Sequence, residues 1–172
     1  MSEPVFTTLG SNIDPHKNLC RAVQMIGQKF PIRAASRVYE TAPIDAAGAV
    51  DPGQPAFLNA AVLITTDKPP DEIKFKILRF LETMLGRVRT ADKFAPRTID
   101  LDIALYGDRV IEGPRLTLPD PDILTRAHVA LPLADLAPDF RHPVTGQTLA
   151  AIAASFADAG GITVRDDLAL PR

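Results

Sequence analysis

Tryptophan is absent from this 172-residue chain, cysteine occurs once, histidine three times, and aromatic residues make up only 6%. One cysteine, Cys20, excludes an intramolecular disulfide, and so few histidines leave no set for a structural zinc cage. No apolar run approaches the ~18 residues that cross a bilayer, so no membrane partner is expected. The formal net charge of −2 lacks the basic excess of a general nucleic-acid coat. The opening Met1-Ser2-Glu3-Pro4 lacks the basic and apolar regions of a signal peptide. A soluble, reduced, cytoplasmic protein is the expectation. No G-x-x-x-x-G-K-[ST] or G-x-G-x-x-G motif occurs, so neither a P-loop nor a Rossmann turn is available to cradle phosphates. No Cys/His pairing or G-x-S-x-G elbow points to covalent catalysis.

What is present is globular. Hydrophobic residues make up 46% of the chain and charged residues 23%, close to the average for folded domains. The length predicts a single domain over residues 1–172. Proline is over-used at 16 residues against a usual ~5%, which implies many ordered loops, where sites are built.

Val5 to Leu9 reads as a strand stopped by Gly10-Ser11-Asn12. Asp14 and Pro15 open a helix with an apolar stripe of Leu19, Val23, Ile26 and Phe30, ended by Pro31. A second strand is expected over Ile32 to Glu40. The stretch Ala42 to Pro55 is loop, marked by Gly48, Pro52, Gly53 and Pro55. Phe57 to Thr66 is a buried strand. A second helix opens at Asp67 to Pro70 with a stripe of Ile73, Ile77, Phe80/Leu81 and Met84, stopped by Gly86. The basic loop Arg87 to Arg97 precedes a strand over Thr98 to Tyr106, with Ile99, Leu101, Ile103 and Leu105 on one face and Asp100 and Asp102 on the other. Gly107-Asp108 turns this strand into Arg109-Val110-Ile111. Short helices should follow Pro119-Asp120-Pro121, then a helix over Leu149 to Ala159 capped by Gly160-Gly161, and a late strand over Ile162 to Arg165. Cys20 is expected in the core. The order predicts an α+β fold, a ferredoxin-like βαββαβ sandwich with a mainly antiparallel sheet and helices packed on one face.

Aspartate is depleted in strands, so Asp100 and Asp102 need a reason. At i and i+2 their carboxylates lie on one face roughly 6.6–7 Å apart, able to converge on one or two hard cations. A solvated outer face accounts for the same spacing. Arg87, Arg89, Lys93 and Arg97 crowd in just before the acids, and Arg115 and Arg126 follow. Arginine grips phosphate oxygens as a planar fork, and magnesium-holding acids beside such arginines are what a nucleotide polyphosphate needs. Surface ion pairs among Arg87, Arg97, Glu82 and Asp92 are the plainer alternative.

These residues carry a resemblance. Gly86-Arg87-Val88-Arg89 with Pro96-Arg97-Thr98-Ile99-Asp100-Leu101-Asp102 resembles the signature of the hydroxymethyldihydropterin pyrophosphokinase family of folate biosynthesis. Leu9-Gly10-Ser11-Asn12, Tyr39-Glu40-Thr41-Ala42-Pro43, Phe57-Leu58-Asn59-Ala60-Ala61, Arg115-Leu116-Thr117-Leu118-Pro119 and Leu131-Pro132-Leu133 extend the match in order over Val5 to Leu149.

The resemblance implies transfer of diphosphate from ATP to the hydroxymethyl oxygen of 6-hydroxymethyl-7,8-dihydropterin, releasing AMP. The product would pass to dihydropteroate synthase. By position, Asp100 and Asp102 would hold two Mg2+ ions bound with ATP, and Arg87 and Arg97 would neutralise charge on the transferring group. Arg89, Arg115 and Arg126 would grip phosphate or shape the ATP site, with Glu82, Ile103 and Thr117 at the nucleoside. Thr41, Ala42 and Ile44 would offer backbone contacts to the pterin, Asn59 would read its amide edge, and Phe57 would stack on it.

Three departures stand out. Phe94 replaces the usual tryptophan of the basic loop, as an aromatic closing over ATP and pterin. Asp120 replaces a common histidine, and either binds ribose or only caps its turn. His128 replaces the second stacking aromatic of the pterin site. The competing reading is a non-catalytic ferredoxin-like module that binds RNA or regulates a partner. Low aromatic content and aspartates on the candidate face weigh against it.

Overall fold

The computed structural model describes residues 1–171. In it, β1 (Glu3–Ser11), α1 (Pro15–Gly27), β2 (Ile32–Ala35), β3 (Tyr39–Thr41) and β4 (Phe57–Thr66) come first. A second helix, α2, joins Pro70–Glu72, a π-helical segment Ile73–Leu78, and Arg79–Met84. Next come β5 (Asp100–Tyr106), a small ribbon of β6 (Ile111–Glu112) and β7 (Thr117–Leu118), and a 3-10 turn over Pro121–Leu124. Helices α3 (Ala127–Leu136) and α4 (Leu149–Ala154) and strand β8 (Ile162–Val164) follow. The main sheet runs β5-β1-β4-β3-β8, with β2 also on β4, and every pairing is antiparallel. This is the predicted α+β, ferredoxin-like arrangement.

The alternation of side chains builds two cores. On one face Val5, Leu9, Leu58, Ala60, Val62, Ile64, Leu101 and Ile103 meet the stripe Leu19, Val23 and Ile26 of α1 and Ile73, Leu78 and Leu81 of α2. On the other, Phe6, Ala61, Ala104 and Leu105 meet Val129, Ala130 and Leu133 of α3 and Leu149 and Ile152 of α4. Helices therefore cover both faces, not one. Small Ala61 and Ala104 let the C-terminal helices approach the sheet, and burial of each large side chain stabilises by about 1.5–3 kcal/mol.

Several boundaries differ from expectation, each for a local reason. The predicted strand over Ile32 to Glu40 is split, because the Ser36 hydroxyl takes up the Ala61 N–H at 2.8 Å and donates to the Arg37 carbonyl. A shift in pairing between Phe6 and Thr7 sends Leu105 to the second face, so it does not join Ile103. In α2 the wider π turn moves the stripe from the expected Ile77 and Met84 to Leu78 and Leu85, and of the expected Phe80/Leu81 pair only Leu81 is buried. Phe80 and Met84 are exposed. Asp14 caps α1 with its backbone only and adopts a left-handed φ of 43°. The helix at Leu149 ends at Ala154, where Ser155 turns back on the Ile152 carbonyl. Cys20 lies half-buried under the C-terminal segment, against the Ala169 carbonyl and His16, and outside both cores.

The second face is apolar over only half its length. Phe6, fully buried and 4.9 Å from the Phe140 ring, anchors the covered half. Phe6→Ala should cost about 3–5 kcal/mol of stability, whereas Phe6→Leu, which keeps most of the volume, should cost less than half as much. Urea unfolding of both variants checks this. A cost below about 1 kcal/mol for alanine would mean that the C-terminal helices do not depend on this contact.

Candidate active site

The uncovered half of the second face is polar. Antiparallel register places Asn59 of β4 opposite Gly10 of β1, and Gly10 opposite Asp100 of β5. Two residues along the same pair of strands, Thr8 lies opposite Asp102. Neighbouring strands are ~4.8 Å apart, so bare Gly10 forms an open floor about two strand spacings wide between the Asn59 amide and the Asp100 carboxylate. Tyr39 and Thr41 of β3 pair with Asn59 and Phe57. The Asn59 amide N–H donates to the Thr41 hydroxyl at 2.9 Å and to the Tyr39 carbonyl at 3.4 Å.

Beside this floor is a network of alternating charge. Glu82 of α2 is 2% exposed. One of its oxygens accepts from Arg87 at 2.8 Å and from the Leu101 N–H at 2.9 Å, and the other from Arg89 at 2.5 Å. Arg87 also donates to Asp100 and to the Ile99 carbonyl. Arg97 adds a second bond to Asp100 at 3.2 Å, donates to the Lys93 carbonyl, and lies 5.9 Å over the Phe57 ring. Burial pushes the Glu82 carboxyl up, opposed by the Leu101 N–H and Arg87. Burial also pushes Asp100 up, but Arg87 and Arg97 outweigh it and hold the carboxyl below its ordinary value. Asp102 pairs with Lys74 at 2.9 Å and accepts from the Ile103 N–H at 2.8 Å.

A groove of about 260 Å³ continues from Asp102 past Ile103, Arg115, Thr117 and Asp120, with Lys74 on its wall. Asp120 caps the 3-10 turn by accepting from the Asp122 N–H at 2.9 Å. Phe94 is exposed in the basic loop, and its carbonyl accepts from Gln54 of the 42–55 loop, so the two loops touch. Ile44 is exposed on a bridge to Val50, next to exposed Ala42. Arg126 and His128 open α3 and share no hydrogen bond with the other candidates among the described residues. Burial lowers the His128 pKa, with Asp122 opposing.

The structure thus joins Glu82, Arg87, Arg89, Arg97 and Asp100 in one network, and Asn59, Thr41 and Phe57 in another that Arg97 touches. Glu82, expected at the nucleoside, has its oxygens occupied by Arg87, Arg89 and the Leu101 N–H. Three contributors were missed. Asn12, 1% exposed, accepts from the Arg97 N–H at 2.8 Å, while the Ser11 hydroxyl donates to the Thr98 carbonyl at 2.6 Å. Both lie in Gly10-Ser11-Asn12, read as a strand stop and as part of the family match but given no role in the site. Lys74 was hidden within the apolar pattern of α2.

Carboxylates supply the only obvious hard oxygen ligands here. No group of three or more His, Cys, Asp or Glu suited to a metal occurs among the described residues. Two carboxylates fit magnesium that completes its shell with phosphate and water.

Asp120 generates a pH prediction. Burial, with Asp122 and Asp102 nearby, pushes its carboxyl up to about 6. The folded pKa lies above the unfolded value, so the cost of burying the charge is full above about pH 6 and gone below about pH 4. Asp120→Asn keeps an acceptor for Asp122. It should be more stable than the native protein by about 1–3 kcal/mol at pH 8, a difference that closes near pH 4.5. Urea midpoints at the two pH values test this, and an equal difference at both would assign the effect to something other than charge.

Known proteins match this chain. The model of the family described as 7,8-dihydro-6-hydroxymethylpterin-pyrophosphokinase (HPPK) matches residues 6–138. The folic acid synthesis protein fol1 of Pneumocystis carinii is 37% identical over 151 residues, which is 87% of this chain but 20% of that protein. A Pseudomonas aeruginosa 2-amino-4-hydroxy-6-hydroxymethyldihydropteridine pyrophosphokinase is 36% identical over 146 residues, 83% of this chain and 86% of its own length. Wild-type HPPK-DHPS of Plasmodium falciparum, crystallised with pteroate, superposes with a TM-score of 0.69, covering 92% of this chain and 43% of that one. At 15% identity that likeness speaks for the fold alone. Because the family model spans most of the chain and the Pseudomonas protein aligns along nearly all its length, the chain belongs to the 7,8-dihydro-6-hydroxymethylpterin-pyrophosphokinase family.

Proposed function

We propose that residues 1–172 form one pyrophosphokinase domain that transfers diphosphate from ATP to the hydroxymethyl group of 6-hydroxymethyl-7,8-dihydropterin, releasing AMP. The observation that carries the reading is the pair Asp100 and Asp102, on an uncovered strand face, each already bound to cations. A solvated face would not gather Arg87, Arg97 and Lys74 around two acids.

In this reading the pterin lies over Gly10. Asn59 reads its amide edge through one acceptor and one donor, Phe57 and His128 offer faces for stacking, and Thr41, Ala42 and Ile44 border it. Phe94 closes over both substrates from the basic loop. The ATP phosphates run along the groove past Arg89, Arg115 and Arg126, with Ile103, Thr117 and Asp120 toward the nucleoside. Two magnesium ions on Asp100 and Asp102 would supply charge neutralisation at the phosphates.

The hydroxymethyl oxygen attacks the β-phosphorus. The bond from that phosphorus to the bridging oxygen of the α-phosphate breaks, AMP leaves with that oxygen, and the hydroxyl proton goes to solvent. Arg87 and Arg97 stabilise charge on the moving group. Glu82 acts through Arg87 and Arg89, holding them with their forks aimed, so little reorganisation is needed at the moment of transfer. Water must be kept out to avoid hydrolysing ATP, which suits the loops joined through Gln54 and Phe94. The product carries a good leaving group for a following displacement, consistent with dihydropteroate synthase as its consumer. Fused chains named HPPK-DHPS support that order. A cytoplasmic site follows from the need for ATP and a reduced pterin.

Mixing the protein with ATP, magnesium and the pterin alcohol should release AMP in step with pterin consumption. RNA binding without turnover would favour the non-catalytic module. Asp100→Ala and Asp102→Ala should abolish turnover while leaving the fold intact, and most activity surviving at saturating magnesium would reduce the pair to a solvated face. Arg97→Ala should lower kcat by about 10²–10³-fold, the scale for one lost transition-state donor, with little change in pterin affinity. Arg97→Lys should recover little, because an ammonium does not reproduce the planar fork. Full rescue by lysine would leave net charge as the only requirement.

A further inference from the structure

Three cations gather around one aromatic ring, and two of them, Lys74 and Arg115, also line the groove. Around the Phe75 ring lie Arg115 at 4.4 Å, Arg79 at 5.7 Å and the Lys74 ammonium at 5.9 Å. Arg79 and Arg115 form no salt bridge among the described residues. Lys74 alone is paired, with Asp102, at 2.9 Å to one oxygen and 3.2 Å to the other. Its side chain is only 20% exposed, on a helix whose neighbouring inward residues, Ile73, Leu78 and Leu81, are apolar. Crowding like charges is unfavourable unless an anion arrives among them.

From this we propose, resting on the diphosphate-transfer reading, that Lys74 is a polyphosphate-binding residue that holds Asp102 until the metal–nucleotide complex displaces it. An ion pair covering both oxygens of Asp102 competes directly with any cation that uses that carboxylate. Once displaced, the ammonium lies within a side chain's swing of the same groove, on a flexible four-carbon stem. Its nearest new partner is the phosphate chain entering between Arg115 and Asp102. No carboxylate or ammonium is left bare at any stage: Lys74 passes from one anion to another. The π-helical segment matters because it places Lys74 on the Asp102 wall while returning Leu78 and Leu81 to the core.

This arrangement requires opposite effects on metal and nucleotide. In Lys74→Met, which keeps the stem but not the charge, Mn2+ should bind nucleotide-free protein about two- to fivefold more tightly, since one ion pair no longer competes. The magnesium complex of α,β-methylene-ATP should bind about ten- to a hundredfold more weakly, the scale of one charged hydrogen bond. Lys74→Arg should keep nucleotide affinity within about threefold of native and retain the competition with Mn2+. Calorimetry gives the nucleotide affinities and electron paramagnetic resonance the free Mn2+. Unchanged nucleotide affinity in Lys74→Met, or weaker Mn2+ binding there, would overturn the proposal and leave Lys74 a structural partner of Asp102. Equal losses in the arginine and methionine variants would overturn it as well. Failure of the native protein to bind the analogue would instead overturn the diphosphate-transfer reading, and this proposal with it.

Discussion

A carboxylate at 2% exposure must find partners or lose its charge, and at Glu82 this constraint organises the site. Its oxygens take the Arg87 and Arg89 guanidinium groups and the Leu101 N–H. The last bond ties α2 to the start of β5, the strand that carries both aspartates. Arg87 is thereby fixed between a buried acid and a half-exposed one, Glu82 and Asp100. Removing Glu82 would free Arg89, leave Arg87 held from one side only by Asp100 and the Ile99 carbonyl, and leave a strand N–H unpaired in the core. The site's electrostatics and the packing of α2 on the sheet therefore rest on the same group.

The second constraint is the half-covered face. Side-chain period in a strand is two, so a strand that buries both faces must be apolar at nearly every position. In β4 that holds from Ala60 to Ile64 and fails at Asn59; in β1 it fails at Thr8 and Gly10. The C-terminal helices cover the sheet as far as the apolar residues extend, at Phe6, Ala61 and Ala104. The cleft begins where that pattern stops. Its floor is as rigid as the sheet, while its rims are loops tied through Asn12, Gln54 and Phe94.

Much of this was legible in advance, and the failures have identifiable causes. Strand and helix order came from periodicity, and Asp100 and Asp102 declared themselves by being acids in a strand. The second helical layer was not anticipated, because the small residues that admit it, Ala61 and Ala104, look like ordinary strand fillers. The stripe of α2 slipped by one residue because a π turn has the same composition as an α turn, and only the i→i+5 bonding reveals it. Lys74 was passed over for the same reason: α-helical spacing gives no cause to point it at β5. Glu82 was read by position as a nucleoside contact, and its burial beneath Arg87 and Arg89 was not foreseen. The roles proposed for Asn59 and Phe57 rest on the family motifs, since as isolated residues they look like parts of a buried strand.

Pairing acids with cations before any substrate arrives has an energetic consequence. Four cations, Lys74, Arg87, Arg89 and Arg97, are interleaved with three carboxylates, Glu82, Asp100 and Asp102. Bare clusters of either sign would repel themselves and strain the fold, whereas the interleaved set is close to neutral and already partly removed from water. On the proposed reading, magnesium competes for the carboxylates and phosphate for the cations, so binding swaps partners more than it desolvates naked charges. That swap works only if the two arrive together. Free nucleotide would compete for the arginines while leaving Asp100 and Asp102 facing added negative charge, and a lone metal ion would have to displace Lys74 and give it nothing in return. On that reading, selectivity for the metal–nucleotide complex over either component follows from the site's own ion pairs, before any shape recognition of the base.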